Sequence, residues 1–436
     1  MAARKANDST LKKAIFESRI GILSLLFISF ALKAGLRLWL IRHVNFWETG
    51  YGLYYKIAHN FLTTGGLYLQ GGHSLYIADK LYAVRTPLYP LFIALIAKLS
   101  NFSASAFIIA EAFISTLTVA LVYKITKDFF STNAAFLSAF LYAFYPYAFI
   151  HDTQLQENVL YNFFSLASVM CLLFAINKKR GLLFFLSGLV LGAATLTRAS
   201  HLMHTFSLIV LVLFILRKNL KEVSRYAGLI LIGLTRVLSP WLIRNKRLLG
   251  SFTITSLTGG TLAEAHNEFT FRYFPYKGSI DQSTRLYRSY LHETRDAELK
   301  AIAGNETLQN KWFRNLAVDY IVKHKKQTLM RGVYKVAVNF LGILSPLQSP
   351  AKNWSYFLSY WLLTLLALKS LPRIKHTVYF KLFLTLCLSQ AAFSFIFWAH
   401  SSHRGFLDPM LAVSAGIGLA LFLFSSEKHA CTIRTF

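Results

Sequence analysis

Apolar residues run through this chain in long blocks separated by short polar stretches. A helix that crosses a bilayer needs about 20 consecutive, mostly apolar residues. Ten stretches follow that pattern, near 20–42, 103–123, 134–150, 159–177, 181–197, 201–217, 226–243, 354–371, 378–398 and 406–425. Two further stretches, 87–99 (PLYPLFIALIAKL) and 333–347, are too short or too interrupted to span; both fit helices that lie at the interface or dip into the bilayer. Long polar segments at 43–102 and 244–353 separate the blocks. In the second, Trp312, Leu316, Tyr320 and Ile321 recur at helical spacing, which predicts amphipathic helices beside the membrane. There is no internal repeat and no low-complexity tract. The pattern predicts an all-α polytopic membrane protein of about ten transmembrane helices, with two long outer-face loops carrying juxtamembrane helices.

Charge then orients the helices. Of 436 residues, 55% are hydrophobic and 15% charged, and 47 Lys and Arg stand against 19 Asp and Glu, a net charge of +28. Mean hydropathy is +0.44. Disorder needs low hydrophobicity and is excluded; a soluble enzyme fits poorly, and a nucleic-acid binder of this charge would not be so apolar. With the N-terminus in the cytoplasm, the short cytoplasmic loops hold Lys124 and Lys127; Lys178, Lys179 and Arg180; Arg217, Lys218, Lys221 and Arg225; and Lys369, Arg373 and Lys375. The short loops of the other side, 151–158, 198–201 and 399–405, hold no Lys and only Arg198 and Arg404. This positive-inside asymmetry supports both ends inside. The chain then divides into a cytoplasmic tail 1–19, helices one to seven over 20–243 including the outer loop 43–102, an outer region 244–353, helices eight to ten over 354–425, and a second tail 426–436. The basic first 19 residues precede an apolar run too long for a signal peptide, so it reads as a retained first span. Cys171 and Cys387 lie in apolar segments and Cys431 in the tail, which gives neither a disulfide framework nor a zinc spacing.

Ionisable groups at membrane depth are costly and mark function by default. Those at helix ends, sorted by side, fall together on the outer face: Glu48, Arg85, Glu157, Arg198, Arg244 with Asn245, and His403, Arg404 and Asp408. A lone Arg there can equally be a snorkelling anchor, and Glu157 can be a solvated residue favoured by a helix dipole. Lys33 and Arg37 in the first helix read as intrahelical pairing or snorkelling groups, and Gly188 and Gly192 as close helix packing.

These residues resemble a known pattern. The stretch 46–95, FWETGYGLYYKIAHNFLTTGG…AVRTPLYPLFIAL, is similar to the first outer loop of the GT-C membrane glycosyltransferases, and above all to glycosyltransferase family 39, the protein O-mannosyltransferase and aminoarabinose-transferase class. LQENVLYNFF, GAATLTRAS, SPWLIRNKRLLGSF with TGGTLAEAHN, and HRGFLDPMLAVSAGIGL follow in family order. The resemblance implies a monosaccharide moved, with inversion, from a polyprenyl phosphate to an acceptor hydroxyl of a glycolipid, polysaccharide or protein. It implies Glu48 as the base. Arg198, Arg244, Arg404 and Arg85, with Lys246 in reserve, would hold the donor phosphate. Glu157, Asn245, Asn267 and Tyr54 would touch sugar or acceptor, and Tyr55, Tyr89 and Trp241 would flank ring and lipid tail. It implies no cofactor; a divalent ion on Glu48 and Glu157 is conceivable but nothing in the spacing asks for it. Nucleic acid is not an expected partner, and the expected location is a bacterial inner membrane with the site facing the periplasm. Two other readings stand beside it: a transporter or flippase of an anionic lipid or solute, and an inactive family member.

Overall fold

The computed structural model describes residues 19–152, 154–217, 219–271, 280–342, 349–397 and 400–424. Both predicted tails fall almost wholly outside them. The first helix, α1 (Arg19–Leu40), leads through a 3-10 turn (Phe46–Glu48) into α2 (Leu53–Thr64), which a left-handed Gly65 ends. A two-stranded antiparallel ribbon, β1 (Leu69–Gln70) and β2 (Lys80–Leu81), follows, and then the short apolar α3 (Leu88–Leu99). The bundle continues with α4 (Ala104–Phe129), α5 (Thr132–Ala143), α6 (Pro146–Asp152), α7 (Asn158–Lys178), α8 (Gly181–Thr197), α9 (His201–Leu216) and α10 (Leu220–Leu249). Four polar helices come next: α11 (Thr258–Ala265), α12 (Ile280–Ala301), α13 (Glu306–Lys323) and α14 (Lys325–Phe340). The chain closes with α15 (Pro350–Ile374), α16 (Val378–Ile396), a 3-10 turn (Ser401–Leu407) and α17 (Asp408–Leu423).

Among the described residues, six helical segments are long and apolar enough to cross a membrane: α1, α4, α7, α10, α16 and Ser401–Leu423. The shorter α3, α8 and α9 are apolar too. The span expected at 134–150 is two helices. Pro146 lacks an N–H, and a residue before proline disfavours the helical conformation, so the chain breaks after α5. Pro240 does not break α10, whose 30 residues extend past the expected end at 243 and carry Arg244 and Asn245 as helical residues.

Three hydrophobic cores lie among the described residues. The largest lies among the apolar helices, with α17 packed against α5, α15 and α4 and buried around most of its circumference. The third packs Phe46 and Tyr54 of the first long segment with Tyr89 and Ile93 of α3, Phe107 of α4 and Leu160 of α7. The second joins the two long segments: Leu69, Tyr76 and Leu81 of the first pack with Leu257, Tyr287, Leu291 and Phe313 of the second. The two predicted outer loops are thus one cap. Glu306 at the start of α13 clasps it, accepting the amides of Tyr82 and Ala83 and the Ser256 hydroxyl. Gln309 completes the clasp, exchanging two hydrogen bonds with the backbone of Ile77, at 2.8 and 3.0 Å.

Lys33 and Arg37 neither snorkel nor pair within α1. Both are buried and reach α4: Lys33 donates to Ser115, and Arg37 forms an ion pair with Glu111. Glu111 also accepts from the Tyr89 hydroxyl at 2.9 Å. Facing the bundle interior is the usual solution for charge at membrane depth.

Candidate functional site

A cavity of about 1140 Å³ opens between the helical bundle and the cap. Three local features place its polar wall. Gly50 adopts φ +58° with its Cα against the Leu155 carbonyl, and the Tyr51 amide donates to that carbonyl at 3.0 Å. The loop after α1 is thereby held beside the residues that precede α7. Thr86 donates to the carbonyl of Thr197 at 2.9 Å, which pins the turn before α3 to the end of α8. Because α7 and α8 run antiparallel and pack closely, Glu157 and Arg198 meet at one end.

There Glu157 pairs with Arg198, Nε to Oε1, at 3.6 Å. The Arg198 guanidinium lies over the Tyr161 ring at 5.5 Å and donates to Asn158 at 3.4 Å. Burial first, then the Glu157 charge, pushes the Tyr54 phenol well above its ordinary value. Arg85 sits over the rings of Tyr51 and Tyr54, at 5.6 and 5.7 Å, with one guanidinium nitrogen 3.4 Å from His73 Nε2; its own Nε is buried without a partner. Burial, then Arg85 and Arg288, press the His73 imidazole down to about 3, so it is neutral at physiological pH. Of the residues expected at the site, the cavity brings together Tyr54, Arg85, Glu157 and Arg198.

The others lie elsewhere. Glu48 is exposed and does not line the cavity, although Tyr51, three residues on, does. Arg244 spends its donors on the carbonyls of Tyr82 (2.8 Å) and Leu67 and on Asn245, tying the cap to α10. Asn245 is buried and donates to the Thr253 carbonyl at 2.7 Å. Asn267 is buried too, donating to the carbonyls of Ala263 and Glu264 as it closes α11. Arg404 is 2% exposed, bonded to Asp408 at 3.0 Å and to Tyr356, and stacked 3.5 Å from the Tyr360 ring. The polar groups of Arg244, Asn245 and Asn267, and the terminal guanidinium nitrogens of Arg404, thus serve the fold.

Three further charged residues reach the cavity: Glu264 of α11, and Arg285 and Arg288 of α12. Glu264 accepts a hydrogen bond from Ser74. Its signal was present in TGGTLAEAHN, and the i, i+3 spacing of the two arginines put them on one helix face. The remaining lining is largely apolar, with Leu202 and Met203 of α9, Leu238 and Leu242 of α10 and Phe393 of α16. Among the described residues no group of three or more His, Cys, Asp or Glu is placed to hold a metal ion. One compartment therefore offers cations, carboxylates and hydrocarbon together.

Residues 84–243 match the model of a family described as dolichyl-phosphate-mannose-protein mannosyltransferase. Among solved structures, the oligosaccharyltransferase of Archaeoglobus fulgidus in its apo form is similar, at 13% identity and TM-score 0.57, covering 94% of this chain and 52% of that one. The same enzyme in complex with zinc and sulfate is similar at 14% identity and TM-score 0.55, covering 94% and 50%. ArnT from Cupriavidus metallidurans bound to undecaprenyl phosphate matches at 11% identity and TM-score 0.41, covering 92% and 78%. At such identities the oligosaccharyltransferase shows a shared fold, and this chain spans about half its length. No curated protein matches the chain.

Proposed function

We propose that this chain, which has a GT-C-type membrane fold and matches the mannosyltransferase family over 84–243, transfers a monosaccharide from a polyprenyl-phosphate donor to an acceptor hydroxyl. The observation that carries the reading is the mixed lining of the cavity. An amphiphile with a phosphate head and a hydrocarbon tail fits a wall that changes from Arg85 and Arg198 to Leu202, Leu238 and Phe393.

The chemistry follows from those groups. The acceptor oxygen attacks the anomeric carbon, the bond from that carbon to the phosphate oxygen breaks, and its electron pair leaves with the polyprenyl phosphate. Negative charge grows on the leaving phosphate. Arg198 and Arg85 stabilise it most in a site shielded from water, and planar guanidinium suits phosphate geometry. Glu157 orients Arg198 from one side while Tyr161 supports it from beneath. The acceptor proton goes to a carboxylate. Glu48 is proposed for that role: it is exposed, makes no ion pair with a described residue, and lies on the loop that carries Tyr51 to the cavity. Its place in the segment that resembles the family's first outer loop supports it. The active end is proposed to face the periplasm.

The test is transfer from a polyprenyl-phosphate sugar in proteoliposomes, with the sugar and acceptor first identified by mass spectrometry of lipids that co-purify. Glu48→Gln is expected to lower turnover at least about a hundredfold with donor binding intact. Glu264, which lines the cavity, is the competing base. Loss in Glu264→Gln with full turnover in Glu48→Gln would reassign the proton to Glu264. Absence of any polyprenyl species in the wild type, with no transfer, would defeat the reading.

A further inference from the structure

Charge is unevenly distributed around the cavity. On the side of the bundle, Arg198 is matched by Glu157. On the side of the cap, α12 presents Arg285 and Arg288, both exposed, and neither forms an ion pair with a described residue. The nearby carboxylate, Glu264, is engaged with Ser74. His73 and His403 also line the cavity, and burial, then Arg85 and Arg288, holds the His73 imidazole neutral. Like charges that crowd a cavity repel one another and cost folding energy unless something negative comes between them. Arg85 adds a buried Nε with no partner.

Resting on the donor reading above, we propose that the cap side of the cavity, through Arg285 and Arg288, selects an acceptor carrying an anionic group, a phosphate monoester or a carboxylate, beside its hydroxyl. The donor phosphate occupies the Arg198 and Arg85 side, next to the apolar wall where its tail lies. The acceptor enters from the cap, whose arginines are on α12 and contribute nothing to the hydrocarbon wall. Its anion neutralises the α12 pair, and this draws its hydroxyl into the space between cap and bundle. An arginine pair three residues apart on one helix face matches a doubly acceptor-rich group such as phosphate or carboxylate better than a neutral sugar.

The experiment uses the full chain in nanodiscs loaded with undecaprenyl phosphate, and compares binding of glucose 6-phosphate, glucuronate and glucose by calorimetry. Both anionic sugars, or one of them, are expected to bind about tenfold more tightly than glucose; which one does so identifies the anion. Arg285→Gln with Arg288→Gln is expected to abolish the preference while undecaprenyl phosphate binding stays unchanged. Arg285→Lys with Arg288→Lys, which keeps the charge, is expected to restore most of it and so excludes a folding defect. Equal binding of all three sugars to the wild type, or a preference that survives the Gln pair, would overturn the proposal. Failure of the wild type to bind undecaprenyl phosphate would instead remove the donor reading and leave the measured anion preference standing.

Discussion

Arg198 is held on three sides: by Glu157 at 3.6 Å, by Asn158 at 3.4 Å and by the face of Tyr161. Its direction is therefore fixed before any ligand arrives, which is the condition for strong electrostatic stabilisation. Arg198→Ala is expected to lower kcat/KM by about 10²- to 10³-fold. If Glu157 works by aiming Arg198, the double variant with Glu157→Gln will be little worse than Arg198→Ala alone, because residues that act as a unit are not additive. Steady-state kinetics of the two single variants and the double variant decide this, and additive losses would give Glu157 an independent contact with substrate. The same residues show how far a sequence reveals a site. Polarity at a helix end was enough to put Glu157 and Arg198 on one face. It could not separate them from Arg404, whose partner Asp408 lies one turn on in the same chain and whose stacking partner Tyr360 comes from α15. Nor could it show that Arg244 would spend its donors on the carbonyls of Leu67 and Tyr82, about 160 or more positions earlier. Which atoms a side chain meets is fixed by long-range packing, and a single sequence does not contain it in local form.

At the scale of elements, the apolar blocks were legible because each must satisfy its own backbone and bury its own face. The coupling between elements was less so. The GxxxG of α8 could be read as a packing face, and it meets α10 at a backbone-to-backbone distance: a Cβ on Gly188 would fall 2.1 Å from the Ile230 carbonyl oxygen, and one on Gly233 of α10 would fall 2.3 Å from that of Phe185. This contact sets the positions of α8, which ends in Arg198, and of α10, which supplies Leu238 and Leu242 to the cavity. Gly188→Val must push the helices apart, at a cost of about 1–3 kcal/mol. Gly35→Ala, in α1 where nothing lies within 4 Å of the added carbon, should leave stability unchanged or slightly raised. Thermal unfolding in detergent checks the pair, and equal melting temperatures would show that the α8–α10 approach is not a stabilising contact. No local pattern marked the clasp of Glu306 and Gln309 on the first loop. Both read as ordinary residues in the first turn and a half of an amphipathic helix, and only the fold gives them the amides of Tyr82, Ala83 and Ile77 as partners.

For the whole molecule, the cations behind the net charge of +28 include three populations of different role. One is the set of exposed lysines and arginines at the ends of helices away from the cavity, such as Lys127 in the last turn of α4 and Lys178 to Arg180 where α7 gives way to α8. A second is buried and structural, as in Lys33, Arg37 and Arg404. The third faces the cavity, as Arg85, Arg198, Arg285 and Arg288. Counting alone could not divide these, but geometry makes the division testable. The 21 residues of α7 extend about 32 Å, enough to separate Glu157 from Lys178 by a hydrocarbon core of about 30 Å. Residues at the cavity end must then share one aqueous side, and the first population must share the other. With the native cysteines replaced, single cysteines at Glu48, Arg288 and Lys311 are expected to react with an impermeant maleimide from one side of sealed vesicles. Cysteines at Lys127 and Lys179 should react only when the vesicles are inverted or opened. Labelling of Glu48→Cys and Lys179→Cys from the same side would break the single-ended site on which the chemistry rests. Labelling of Arg288→Cys together with Lys179→Cys would detach the cap from the face where Glu157 and Arg198 meet.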